Sequence, residues 1–148
     1  MKKKILITLI FSILFSLTAF PQSKILINMD LDQTDHLKAY GITYRALTKG
    51  YKADWLLNYK GGSFLIDYSD ELAAECRLNA VSFEAISLSQ TTEIYSFVQS
   101  EDNNMDVVRL EKAPKIAVYV PPGFQPWDDA VTLALEYADI PYDKIWND

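Results

Sequence analysis

ADWLLNYKGGSFLIDY, residues 53–68, is the stretch on which the reading of the fold turns. Ala53 to Tyr59 has the pattern of a strand, Lys60-Gly61-Gly62-Ser63 that of a loop, and SFLIDY that of a further short extended piece. Upstream, KILINM (24–29) is a continuous apolar run, as expected of a strand buried on both faces. Between the two strands, HLKAYGITYRALTKG sets Leu37, Tyr40, Gly41, Tyr44 and Leu47 on one helical face, with Gly50 as the stop. Downstream, Ser69 caps a second helix whose first turn holds Asp70 and Glu71, where acids complement the helix dipole. FEAISL (83–88) is a third strand, and TTEIYSFVQS (91–100) a third helix burying Ile94, Phe97 and Val98. After the EDNN loop, Val107 to Leu110 is an extended edge piece, and KIAVYV (115–120) is the strongest strand signal in the chain. Gln125 and Pro126 open a last helix with a buried stripe of Trp127, Ala130, Val131, Ala134 and Ala138. IPYDKIW (140–146) then begins a fifth strand. Strands alternating with helices predict right-handed βαβ units. The expected fold is a three-layer α/β domain with a mostly parallel sheet of about five strands and four helices, flavodoxin-like or class I amidotransferase-like.

The chain has 148 residues, 49% hydrophobic, which suits one compact domain. MKKK followed by ILITLIFSILFSLTAF and PQS reads as a signal peptide over residues 1–23, cut between Ala19 and Lys24. The run is short for a membrane span and carries Thr8, Ser12, Ser16 and Thr18, so no transmembrane segment is expected after cleavage. No Cys follows the run to carry a lipid. The expected address is periplasmic or extracellular. Beyond residue 23, eleven basic residues face twenty acidic ones, a balance of about −9 that repels phosphate backbones and argues against nucleic acid. Cys76 is the single cysteine, so an internal disulfide is impossible, and its place in DELAAECRL is that of a packing residue.

In α/β folds of the expected kind, ligands sit beyond the carboxyl ends of the strands. That rule points to Asp30–His36, Asn58–Ser63, Ser87–Gln90 and Pro121–Gly123, and the ligand-binding candidates are Asp30, Asp32, His36, Lys60, Gly61, Gly62, Ser63 and Gly123. Each has a structural alternative. Asp32, Thr34 and Asp35 are natural helix caps, and Gly61-Gly62 can serve only a tight turn. Asp30-Leu31-Asp32-Gln33-Thr34 has the D-x-D-x-T spacing of a magnesium-dependent dehalogenase-type phosphatase, with Asp30 as nucleophile and Asp32 as acid/base. Such an enzyme also needs a second acidic pair; Asp128 and Asp129 imitate one but open a helix, where acids are ordinary. His36 is the only histidine, which thins any zinc site or Ser-His-Asp triad. G-x-G-x-x-G and G-x-x-x-x-G-K-[ST] are both missing from the sequence. No catalytic residue, metal ligand or cofactor is assigned.

The runs KILINMDLDQTDHLKAYGITYRAL, DWLLNYKGGSFLIDYS, NMDVVRLEKAPKIAVY and QPWDDAVTLALEYADIPYD resemble an exported bacterial family catalogued as asparagine synthetase B, across nearly the whole mature chain. Members of that family are longer, so the resemblance implies that this sequence is an amino-terminal part. The family name implies glutamine-dependent ligase chemistry, which needs an N-terminal Cys nucleophile and an S-G-G-x-D-S loop for ATP pyrophosphate. Cys76 lies mid-helix, and Lys60-Gly61-Gly62-Ser63 lacks the leading Ser and the trailing Asp-Ser, so no synthetase residue carries over. The expected function is an exported ligand-binding or scaffold domain. The alternative is an enzyme, asparagine synthase-like or a phosphatase. IPYDKIW is followed by two residues in this sequence, so Ile140, Ile145 and Trp146 are expected to lie partly exposed and to receive the remainder of a longer chain or another protein. A small-molecule ligand is also expected to be possible.

Overall fold

The computed structural model describes residues 23–147, and the expected signal segment up to residue 22 lies outside them. The order of elements is β1 (Lys24–Ile27), α1 (His36–Thr48), β2 (Ala53–Leu57), a 3-10 turn (Tyr59–Gly61), β3 (Ser63–Asp67), α2 (Asp70–Leu78), β4 (Glu84–Ile86), α3 (Leu88–Val98) and β5 (Asp106–Leu110). A smaller unit follows: β6 (Ala117–Tyr119), a 3-10 turn (Pro126–Asp128), α4 (Ala130–Tyr137) and β7 (Asp143–Ile145).

The main sheet has the order β4-β1-β3-β2-β5 and every pairing in it is antiparallel. The expected mostly parallel, flavodoxin-like or amidotransferase-like sheet is therefore wrong, and the 53–68 stretch shows why. Asn58 and Lys60 adopt positive φ (61° and 43°), as do Gly61 and Gly62 (79° and 96°), and this run of left-handed residues folds the chain straight back. SFLID becomes a central strand instead of a minor extended piece. It slots between β1 and β2, which point the same way but never touch. The β1-α1-β2-β3-α2-β4 succession is the split βαβ arrangement of ferredoxin-like folds. Among the described residues only β6 and β7 pair in parallel, as a separate two-stranded ribbon.

Alternation along the strands fills two cores. Ile25, Ile27, Phe64, Ile66 and Ala53 pack against Ala39, Ile42 and Ala46 of α1 and Leu72, Ala73 and Cys76 of α2. Leu26, Leu65 and Leu56, one residue out of phase, pack with Ile86 against Val98, Ile94 and Tyr95 of α3. Ser69 caps α2 by accepting from the Leu72 amide, and Ser87 with Gln90 forms a capping box on α3.

Asp54, 1% exposed, faces the α3 side. Arg109, its cross-strand neighbour on β5, brings Nε to 2.6 Å from Oδ1, and the Tyr95 hydroxyl donates to Oδ2. Burial, then the bond to Asp54, pushes the Tyr95 phenol well above its usual range. Removing the cation strands a buried carboxylate. Arg109→Ala is expected to lower stability by about 2–3 kcal/mol in urea unfolding. The triple replacement Asp54→Val, Tyr95→Phe, Arg109→Met, which leaves no buried charge, should cost less; an equal or larger loss would contradict this account of the pair.

The two helices on the other face are tied by charge. Arg45 Nε lies 2.5 Å and Lys49 Nζ 3.1 Å from the Glu75 carboxylate. Burial alone would raise the Glu75 pKa, but the bonds and charges of Arg45 and Lys49 outweigh it and hold the carboxyl below its ordinary value. A carboxylate whose folded pKa is depressed adds stability above its unfolded pKa and loses it as pH falls through the folded value. Wild-type stability is therefore expected to fall as pH drops below about 4.3. Glu75→Gln should flatten that fall, and unchanged pH dependence in the variant would rule the contribution out.

Candidate functional site

Because β1 and β2 run in the same direction and β3 and β4 run against them, the end of β1, the β2–β3 turn and the entry to β4 meet at one end of the sheet. A cavity of about 390 Å³ opens there. Asn28, Asp30, Asp32 and Gln33 line it from the first segment, Lys60 from the second, and Ser82, Phe83 and Glu84 from the third.

Asp30 Oδ1 accepts the Asp32 amide at 3.2 Å, which folds the loop so that both carboxylates face one space. Glu84 Oε1 accepts from Asn28 Nδ2 at 2.7 Å and lies 3.4 Å from Lys60 Nζ. Three carboxylates against one ammonium leave the cavity acidic. Its wall is stapled by Gln33, which is 6% exposed. The Gln33 amide donates to the carbonyls of Asn28 (2.7 Å) and Ser82 (3.1 Å), while its Oε1 accepts the amides of Thr34 (3.0 Å) and Ser82 (2.9 Å). Every hydrogen-bonding position of that side chain is used, so Gln33 is a positioning residue. Sequence reading passed over it, since an amide inside a polar loop has no local signature.

The remaining candidates have other jobs. His36 Nε2 lies 3.2 Å from the Met29 carbonyl and 3.0 Å from the Asp30 carbonyl. Both neighbours are acceptors, so Nε2 carries a proton and straps the loop; it is not open as a base or a metal ligand. Gly61 presses on the end of β1, where an added Cβ would stand 2.1 Å from the Met29 oxygen. Gly62 offers its carbonyl to Trp55 Nε1 at 3.1 Å, and Ser63, fully buried, donates to the Tyr59 carbonyl at 2.9 Å. These three hold the turn that presents Lys60. Gly123 belongs to the loop after β6 and does not line the cavity. Ser87–Gln90 sits at the opposite end of the sheet, because β4 is antiparallel to β1.

Asp128 Oδ2 accepts the Gln125 amide and Asp129 Oδ1 the amides of Val131 and Thr132, so both acids cap helices away from Asp30. Among the described residues, no group of three or more His, Cys, Asp and Glu side chains stands together to hold a metal ion. Cys76 is fully buried, and burial pushes its thiol up to about 12, which makes it a poor nucleophile.

In the smaller unit, Ile140 is half-buried beside a hollow of about 430 Å³ shared with Glu136, Asp139 and Lys144. Ile145 and Trp146 are 49% and 46% exposed. No helix among the described residues is long and apolar enough to cross a membrane. No family model, no curated protein and no solved structure matches the chain.

Proposed function

We propose that this chain is an exported binding module that holds a small polar ligand in the cavity between β1, the β2–β3 turn and β4. The observation that carries the reading is the convergence of Asp30, Asp32, Lys60 and Glu84, from three separate segments, on one cavity of ligand size. The carboxylates accept and the ammonium donates, so the ligand class is a compact molecule rich in N–H and O–H donors, such as an amine or an amino sugar. We read the Asp30, Asp32 and Glu84 carboxylates as acceptors for the ligand, because His36 is committed to a strap and Cys76 to a core, which leaves the site without an imidazole or a thiol. The resemblance to the asparagine synthetase B family supports the exported address and brings no reactive group with it. The exposed Ile145 and Trp146 favour a second role for the smaller unit, as the place where a further segment or protein docks.

Isothermal titration of the purified protein with a panel of diamines, amino acids and amino sugars tests the ligand reading. At least one class is expected to bind saturably, and Asp32→Ala combined with Glu84→Gln should weaken it by about tenfold or more, the worth of one or two charged hydrogen bonds. Heat signals that survive the double variant unchanged would place binding elsewhere.

A further inference from the structure

Helix α4, AVTLALEY, carries one charged residue, and a helix apolar around most of its circumference is normally covered around most of it. Here only Thr132 of the helix is fully enclosed, while Val131, Leu133 and Tyr137 are 56%, 49% and 50% exposed. Leu37 of α1, 42% exposed, faces them. Between the two helices runs a groove of about 420 Å³ walled by Leu37, Ala130, Leu133, Ala134 and Tyr137. The one polar group of that wall, the Tyr137 hydroxyl, is already bonded to Asp35 Oδ2 at 2.5 Å. The flanks are acidic: Asp35 precedes α1, Asp128 and Asp129 precede α4, and Asp139 follows it. Two basic residues lie on this side: Lys38 is held by Asp139 at 2.7 Å and lies over the Tyr137 ring, and Arg45 Nη1 is 3.8 Å from the same Asp139 carboxylate, so four acids face two bases.

We propose that the α1–α4 groove docks a segment of another protein whose apolar side chains fill it and whose flanking Lys or Arg residues meet Asp35, Asp128, Asp129 and Asp139. An amphipathic helix in a groove is the recurring way such a surface is used, and the acids select a basic partner. A second copy of this chain would set the same acids against each other, which disfavours self-association. The donor-rich ligand proposed for the cavity would leave apolar walls unfilled, so the two sites take different chemistry and the groove stands independently of the cavity.

The test uses two labelled synthetic peptides, both amphipathic helices with leucines at i, i+3, i+4 and i+7, one flanked by lysines and one by glutamates. In fluorescence anisotropy the lysine-flanked peptide is expected to bind about tenfold more tightly than its glutamate twin, with an advantage that shrinks as salt is added. Leu133→Glu should abolish that binding, and Leu37→Lys, at an independent exposed position, should do the same should the first variant fold poorly. Equal binding of the two peptides, or binding that survives both variants, would overturn the proposal. Sedimentation of the protein alone completes the test: a dimer dissolved by Leu133→Glu would make a second copy the occupant and overturn the basic-partner assignment.

Discussion

Gly61→Ala is expected to lower stability by about 3–4 kcal/mol and to open the cavity end of the sheet. Gly61 sits at φ +79°, and a Cβ there would stand 2.1 Å from the Met29 oxygen, 2.4 Å from its carbonyl carbon and 2.8 Å from the Asp30 nitrogen. All three are backbone atoms of the strand end, so no side chain can swing aside. Left-handed strain accounts for about 1–2 kcal/mol of the effect. Forcing the turn away adds the loss of the Met29 amide bond to the Lys60 carbonyl (3.0 Å) and the misfit of the strand end. Gly50→Ala is the control. Gly50 has a similar φ of +88° but open space around it, so the same substitution there should cost only the strain. Urea unfolding of both variants checks the comparison. Equal losses would mean that Gly61 serves conformation alone and that the turn does not brace β1.

Gly41→Ala is expected to split the molecule's behaviour in two. In an exposed helix interior, alanine would be the better residue by about 1 kcal/mol. At Gly41 its Cβ would stand 1.9 Å from the Ala138 oxygen, at the point where α4 is pinned to α1. Arg45 Nη1 donates to the same oxygen at 2.9 Å, and Lys38 holds Asp139 next to it. Displacing Ala138 therefore releases α4 and, with it, the β6–β7 ribbon, while the two cores of the main sheet contain no residue of α4. Hydrogen exchange should rise by roughly a hundredfold in α4 and β7, about 2–3 kcal/mol of local opening, with β1 and β3 still protected. Uniform loosening of the whole chain would contradict the division.

These two glycines also show how far the sequence can be read. Helix positions were legible for α1 and α2, because Asp35 and Ser69 are capping residues ahead of apolar periods and do cap them. Helix α3 instead begins at Leu88, behind a Ser87 cap that the sequence places in a strand, ahead of the expected start at Thr91. The apolar run at Ile25–Ile27 correctly signalled a strand covered on both faces. Strand direction was not legible. It depended on whether Asn58–Gly62 is a connection or a reversal, and that is settled by φ at Asn58 and Lys60; asparagine enters the left-handed region several-fold more often than most residues, but lysine seldom does. KIAVYV reads as the strongest strand yet gives a three-residue piece of a peripheral ribbon with Tyr119 63% exposed, since apolar count does not tell which sheet a strand joins. Trp127, expected in a buried stripe, is 70% exposed because the helix starts later, at Ala130, behind the Asp129 cap.

The candidate site was legible in part for a physical reason. Asp30, Asp32 and Lys60 were picked by the rule that ligands gather at carboxyl strand ends, and β1 and β2 do share an orientation even with β3 between them. The same rule pointed to Ser87–Gln90 and missed Ser82–Glu84, because it assumes a parallel β4. Gln33, which ties the two halves of the wall together, acts through contacts with residues 49 positions away that no local pattern carries.

Amide NMR of the isotope-labelled protein, titrated with the diamines, amino acids and amino sugars, tests the binding cavity most directly. The expected result is a set of saturable shift changes concentrated at Asp30–Gln33, Lys60–Gly62 and Ser82–Glu84, lost in the Asp32→Ala, Glu84→Gln protein. A spectrum that no member of the panel perturbs there, or shifts confined to Leu37 and Ala130–Tyr137, would contradict it.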